Sequence, residues 1–441
     1  MTGRRLLTLL VVLAAVGVPA GVLQALCAGR SCDAGPSETA RIPFCPLPAA
    51  LREAISNGYR EGRSPDVFGV PRDVPVYTEI GGLRMPWPAT DTFTDDRVPI
   101  VFSGAGVSAR AALPTDVTLD AVAPTVSEIL AFDRPFPEVR SGRAVESALT
   151  RSGPPPRLVL LIAWTGVGSA ELEDLDREWP FLASLLETGA GTLDARTGSL
   201  PLDPAATLTT IGTGGLPSQH GITGSFVRND DGDVVRAFGD GGPVQVIATL
   251  ADDMEAEDPR ALVGIVATDE SDRGLVGGGW YPDQDPVDVV IGDAEALPLA
   301  VDVHLGTGYG ADEVTDVLGV VMDGGIGRLD RWTERIVRAA ERATNRSVLV
   351  VVAGTGTWER TRVALPETSL VEAVEDAVPG SGSVVAAVVA GGLFLDQEVL
   401  TQAGVTGQVA VDAMLDVTTP QGREMMADAF QGFAVSFARY C

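Results

Sequence analysis

The stretch "LVLLIAWTGVGSAEL", Leu158 to Leu172, carries the most information about how this chain folds. Leu158 to Ala163 form an unbroken apolar run, which fits a strand buried on both faces in a mainly parallel sheet. It passes directly into a turn and then a helix start. In an open α/β sheet that point, the carboxyl end of a strand, is where ligands and catalytic groups collect. Here the turn offers Trp164, Thr165 and Gly166, and none of them ionises.

Runs of the same kind recur as "VPIVF" (98–102), "LVGIVA" (262–267), "VDVVI" (287–291), "VLGVVM" (317–322), "SVLVVV" (347–352) and "SVVAAVVA" (383–390). Helical periods lie between them. In "RLDRWTERIVRAAERA" (328–343), Leu329, Trp332, Ile336, Val337 and Ala340 mark one apolar stripe among charged residues, as on an amphipathic helix packed on a sheet. A second helix is expected from Leu172 to Glu187, with Leu175, Leu182, Leu185 and Leu186 facing the core after the acidic start "ELEDLD". Alternation of strand and helix predicts an α/β fold with three α/β/α layers and a mainly parallel central sheet.

Composition narrows the function. The chain has 441 residues, 32 Lys plus Arg against 60 Asp plus Glu, and a formal charge of −28. A surface this acidic repels nucleic acid and anionic membrane. There are two histidines, His220 and His304, so a site built on several imidazoles is ruled out by count. Arg4 and Arg5 precede an uncharged run from Leu6 to Leu26, which reads as an export signal. The run is long enough to span a bilayer, while "VPAG" (18–21) offers a small-residue cleavage site, so residues 1–26 fit either a membrane anchor or a cleaved signal. Residues 27–50 read as a tether and 51–441 as globular. Four cysteines, Cys27, Cys32, Cys45 and Cys441, read as disulfides in an oxidising compartment. The proline-rich segment 146–157 is either a domain linker or a surface loop.

The block "SLPLDPAATLTTIGTGGLPSQHGITGS" (199–225) resembles the alkaline phosphatase superfamily, including its type I phosphodiesterase and nucleotide pyrophosphatase members. The match rests on Thr213-Gly214, Pro217 and His220-Gly221-Ile222. "SVLVVVAGTG" resembles the later strand that in the family ends in a metal-binding turn. Upstream, "NGYREGRSPDVFGV" (57–70), "DDRVPIVFSGAGV" (95–107) and "TLDAVAPTVSEIL" (118–130) resemble the family's carboxyl-terminal part. That part stands first here, so the resemblance implies a circular permutation. Residues 51–145 match the family's end, 158–441 its beginning and middle, and 51–441 is then one domain. The new ends would fall between "GFAVSFARYC", read as a strand, and "CPLPAA", making Cys45 and Cys441 neighbours that a disulfide could join.

The family hydrolyses phosphate or sulfate esters with two metal ions, usually zinc, around a Thr or Ser nucleophile. Carried over residue by residue, the first aspartate falls on Thr165 and the nucleophile on Pro204, with Thr207 the nearest hydroxyl after a register slip. The later metal turn falls on Gly354 and Thr355, and an imidazole is expected between Gly82 and Thr90 where no His occurs. Asp323, in the shortened "VVMDGGIGRLD", is the one surviving carboxylate. His220 reads as a turn histidine and His304, placed after a strand, as a possible cleft residue; "NDDGD" (229–233) reads as a hairpin turn. The expectation is an exported, membrane-tethered pseudoenzyme without catalytic residues, metal or cofactor, acting by binding or scaffolding on an unidentified surface or envelope partner. The alternative is an active phosphodiesterase or phosphomonoesterase with non-standard ligands.

Overall fold

The computed structural model describes residues 43–441 apart from 73–75, 81–82, 88, 90–95, 151–152, 283, 285–286, 293, 358–362, 379–382 and 419–421. The readings made on residues 1–26, on Cys27 and Cys32, and on part of the 82–90 segment lie outside the described residues. The main-sheet strands are β1 (Arg97–Gly104), β2 (Ala111–Ala112), β3 (Leu158–Trp164), β4 (Ala190–Arg196), β5 (Val263–Ala267), β6 (Asp288–Ile291), β7 (Asp316–Met322) and β8 (Val348–Gly354). The helices used below are α1 (Ala49–Gly58), α2 (Ser169–Asp174), α3 (Pro180–Thr188), α4 (Pro204–Thr213), α5 (Leu297–Gly306) and α6 (Ile326–Ala343).

Among the described residues these strands form one sheet in the order β6-β5-β7-β3-β8-β1-β4-β2. The run from β6 to β8 is parallel, and β1 inserts antiparallel between β8 and β4. β3 sits between β7 and β8, its Leu158 in register with Asp316 and Val348, and every residue of these three strands is buried. Alternation along β3 sends Val159, Leu161 and Ala163 to one core and Leu160, Ile162 and Trp164 to the other. Helix α4 covers the first face through Leu208 and Ile211, and α6 covers the second through Leu329, Ile336, Val337 and Ala340. The three-layer α/β/α architecture and the mainly parallel sheet are as the apolar runs predict.

Four local expectations fail, each for a physical reason. The 172–187 helix is two helices, α2 and α3, because Pro180 starts a new one; Leu175, in the gap, is 37% exposed. "VDVVI" forms β6, but as the edge strand it leaves Val289, Val290 and Ile291 exposed. Val385–Val389 is not in the main sheet: it pairs antiparallel with Gly392–Leu395 in a four-stranded sheet with Val67–Pro71 and Met426–Gln431. "GFAVSFARYC" is a 3-10 helix, Gly432–Tyr440, following the Met426–Gln431 strand.

The compact unit runs from Pro43 to Cys441. It therefore begins earlier than Leu51, since Phe44 and Leu47 are buried with Leu51, Ile55, Phe68 and Phe430 in a common cluster. Cys45 and Cys441 are disulfide-bonded, with Cα atoms 5.1 Å apart across 396 residues of sequence. The 146–157 segment is a surface connection inside this unit. Leu149 bridges to Val107, the Pro156 carbonyl accepts from Thr315 Oγ1 at 2.6 Å, and Arg157 N–H donates to the Ser347 carbonyl at 2.8 Å. None of the helices among the described residues is long and apolar enough to cross a membrane.

Candidate functional site

The carboxyl ends of β7, β3 and β8 lie side by side because these strands are paired in parallel register. Thr165 N–H donates to the carbonyl of Met322, the last residue of β7, at 2.8 Å, and Thr355 N–H donates to the Trp164 carbonyl at 3.2 Å. Asp323, Thr165, Gly354 and Thr355 are thus collected on one rim from three distant parts of the sequence. Leu202, two residues before Pro204, packs on the turn after β8: a Cβ on Gly356 would lie 2.9 Å from Leu202 Cδ1.

Around this rim the polar side chains of Thr355, Asp203 and Thr207 are bonded inward. At Gly354 a Cβ would come within 2.3 Å of the Val167 carbonyl oxygen and 2.8 Å of Pro99 Cδ, so no side chain fits at this position. The Thr355 hydroxyl, fully buried, accepts from Gly166 N–H at 2.9 Å. Pro204 is the first residue of α4, where a missing N–H costs nothing. Asp203 caps that helix, its Oδ1 accepting from Ala205 N–H and Ser225 Oγ, each at 2.9 Å. Thr207 is buried within α4, and its hydroxyl is directed back at the Asp203 and Pro204 carbonyls, 3.1 Å from each. Thr165 Oγ1 is buried and finds no hydrogen-bond partner among the described residues.

The carboxylates near this end were only partly legible in the sequence. Asp269 and Asp272 follow β5, and Asp269 N–H donates to Asp272 Oδ2 at 3.2 Å. Burial, then the negative charges of Asp269 and Asp323, push the Asp272 carboxyl up to about 7. Burial also opposes ionisation of Asp269, but hydrogen bonds from Ser271 and the Arg236 guanidinium outweigh it and hold its carboxyl low. Glu171 in α2 is buried, its Oε2 accepting from Gly168 N–H at 2.9 Å and from Thr357 Oγ1 at 2.7 Å. The acidic run "ELEDLD" signalled a helix start, but one residue of it closes the rim instead of facing water.

Two metal ions in the family's arrangement do not fit these residues. Gly354 cannot carry a donor, Thr355 is committed to Gly166, and Pro204 has no hydroxyl. Among the described residues no group of three or more His, Cys, Asp or Glu side chains is disposed to hold a metal ion.

Neither histidine is at the rim. His220 ends the short helix Pro217–His220; its Nδ1 accepts from Ile222 N–H at 3.2 Å, leaving Nε2 to donate to Thr210 Oγ1 at 3.1 Å. Burial pushes its imidazole down to about 3. His304 does not follow a strand: it lies on α5, with Nδ1 3.0 Å from the Ala300 carbonyl and its ring edge-on to Tyr309. It stands against Gly264 near the amino end of β5, away from the rim. The acidic "NDDGD" is a hairpin turn joining Phe226–Arg228 to Val234–Arg236, with Asn229 Oδ1 accepting from Asp231 and Asp233 N–H and Gly232 at positive φ. Two open grooves lie elsewhere, both touching Phe132: one of about 650 Å³ between the end of the helix Val122–Leu130 and the segments leading into β5 and β7, and one of about 630 Å³ between that helix and residues 133–144.

The fold and rim define a three-layer, open-sheet α/β domain in which the Val167 carbonyl and Pro99 close the strand end at Gly354. No protein-family model matches the sequence, and no curated protein matches it. Among solved structures, alkaline phosphatase PafA overlaps with a TM-score of 0.42 at 13% identity, covering 64% of this chain and 85% of that one. A multiply substituted variant of PafA overlaps with a TM-score of 0.43, again at 13% identity, covering 64% and 86%. An overlap of this extent assigns no residue a role.

Proposed function

We propose that this chain is an exported, membrane-tethered pseudoenzyme of the alkaline phosphatase superfamily that acts by binding or scaffolding. The observation that carries the reading is the close approach at Gly354, where the Val167 carbonyl and Pro99 occupy the space a ligand side chain needs. A two-metal clamp depends on donors converging from several strand ends, and this one is filled by backbone. The inward bonding of Thr355 and Thr207 supports the same reading. The 5.1 Å separation of the Cys45 and Cys441 Cα atoms supports the permuted order, because joining the chain there would need almost no added length.

One observation favours the alternative, an active hydrolase. Asp269 and Asp323 lie close enough to Asp272 to raise its carboxyl, and a carboxyl titrating near neutrality is suited to proton transfer. Metal analysis and hydrolysis of an aryl phosphate by the purified full chain separate the two. The pseudoenzyme reading expects no stoichiometric metal and no chelator-sensitive turnover. Stoichiometric zinc or manganese, with hydrolysis abolished by chelator, overturns it.

A further inference from the structure

The 3-10 helix Gly432–Tyr440 has three residues per turn, so residues three apart eclipse. Gly432 and Val435 are buried, and Ala438 packs partly against the same cluster as Phe44, Leu51, Ile55 and Phe430. The outer rows carry Phe433, Phe437 and Tyr440, which are 56, 55 and 69% exposed. Their rings touch in sequence, Phe433 to Phe437 at 6.4 Å and Phe437 to Tyr440 at 6.2 Å between centroids. The Arg439 guanidinium lies 4.8 Å over the Tyr440 ring. A contiguous exposed aromatic stripe of this kind marks an interaction surface.

Charge says what kind. The chain carries −28, yet "GFAVSFARYC" (432–441) has no acidic residue and one arginine. Helix α1 packs beside it; the exposed Pro46 and Pro48 before it and Ala49 and Ala50 in its first turn are uncharged, and Glu53 is its one exposed carboxylate. An acidic domain held near anionic headgroups meets least repulsion through a face poor in carboxylates. The disulfide pins the end of this face to Cys45, close to where the described chain begins at Pro43. Residues 27–42, between the apolar run and that point, can span at most about 55 Å when extended.

We propose that Phe433, Phe437 and Tyr440, with Arg439, dock into the headgroup interface of a lipid bilayer as a second, shallow membrane contact. The inference rests on the membrane-tethered reading of Leu6–Leu26. Aromatic rings settle at the level of the headgroups, and a guanidinium pairs with lipid phosphate. A stripe this small binds weakly by itself. Tethering makes the second contact intramolecular, at an effective concentration on the order of millimolar, so a weak contact is occupied most of the time.

The test uses the full chain reconstituted in pure phosphatidylcholine–phosphatidylglycerol vesicles, with a specific protease sequence placed within residues 33–42. After cleavage at several millimolar accessible lipid, on the order of the effective concentration the tether supplies, the domain with its aromatic stripe is expected to stay on the vesicles. The Phe433→Ser/Phe437→Ser/Tyr440→Ser variant is expected to be released, its retained fraction lower by roughly tenfold. These side chains are exposed, so the variant should keep its unfolding midpoint, and that is measured alongside. Release of both proteins overturns the proposal, as does retention of both, which places any lipid contact elsewhere. Retention on native envelope fragments but not on pure lipid also overturns it and indicates a protein partner. If the uncut chain fails to join the vesicles, the tether reading has failed; the cleaved 43–441 unit, added to vesicles from solution, still reports on the stripe by the ratio between wild type and variant.

Discussion

The hydroxyl of Thr355 accepts a hydrogen bond from the backbone N–H of Gly166 at 2.9 Å, stitching the turn after β8 to the turn after β3. In an open α/β sheet these two turns would ordinarily flank a crevice. Here one side chain spans them, and it is buried. Replacing Thr355 by Val leaves the Gly166 N–H unpaired in a dry site and is expected to cost about 1–3 kcal/mol, whereas Ser should cost much less. Urea unfolding midpoints of the two variants check this.

Gly354 gives a stricter expectation. A Cβ there meets a backbone carbonyl at 2.3 Å, so Gly354→Ala must shift β8 or the turn at Val167. A loss of about 1–3 kcal/mol is expected, and Gly354→Asp should be worse because it also buries an unpaired charge. Neither should gain metal binding or phosphatase activity. A well-folded Gly354→Asp protein that takes up zinc would show that the rim is open and that the close approach has been misjudged.

Asp272 should make stability fall with rising pH. Its carboxyl is raised to about 7 in the folded protein, so the fold binds a proton that the unfolded chain has lost. The stabilisation is complete below the ordinary carboxylate range, near pH 4, and disappears as pH rises through about 7. Asp272→Asn keeps an accepting oxygen for Asp269 N–H and removes the titration. The variant is expected to be more stable than wild type at pH 8, by up to about 4 kcal/mol, with the difference vanishing toward pH 4. Thermal unfolding across that range provides the measurement.

His220 acts in the opposite sense. Its imidazole is held neutral by burial, down to about 3, so the unfolded chain takes up a proton first as pH falls. Stability present above pH 6.5 is lost progressively between there and about 3, by several kcal/mol in all, on the order of 1.4 kcal/mol per pH unit. Asn can mimic Nδ1 as the acceptor for Ile222 N–H. In His220→Asn the acid limb of the stability curve should therefore be shallower, even though the variant starts from a lower maximum.

The Cys45–Cys441 bond closes a loop of nearly the whole domain. A Cys45→Ser/Cys441→Ser variant is expected to lose about 2–5 kcal/mol, through greater freedom of the unfolded chain and fraying of α1 from the 3-10 helix. Comparison of denaturant unfolding with and without reductant tests it, since reductant should change the wild type and leave the variant unaffected.

Much of the fold could be read from Leu158–Leu172 and its counterparts. Unbroken apolar runs need burial on both faces, and that requirement is local enough to read directly. The reading failed where burial depends on position in the sheet: "VDVVI" has a core strand's composition but lies at the edge, and "SVVAAVVA" belongs to a second sheet. "GFAVSFARYC" was misread because alternation cannot distinguish a short strand from a 3-10 helix whose buried row recurs every third residue. At the rim, the sequence showed which positions lack ionisable groups, Thr165, Pro204, Gly354 and Thr355. It did not show that Asp272, Asp269 and Glu171 stand nearby, because each reads as an ordinary helix-start carboxylate.

The sequence by itself determined the alternation of strands and helices, the acidic surface, the lack of imidazoles for a metal cluster and the cysteines available to pair. These follow from residue chemistry and short-range periodicity. Only the tertiary structure decided that Thr165, Gly354, Thr355 and Asp323 share one rim, that Gly354 is closed by Val167, and that Phe433, Phe437 and Tyr440 face outward. Each is a relation between segments distant in sequence, fixed by strand register and packing, and no local pattern encodes it.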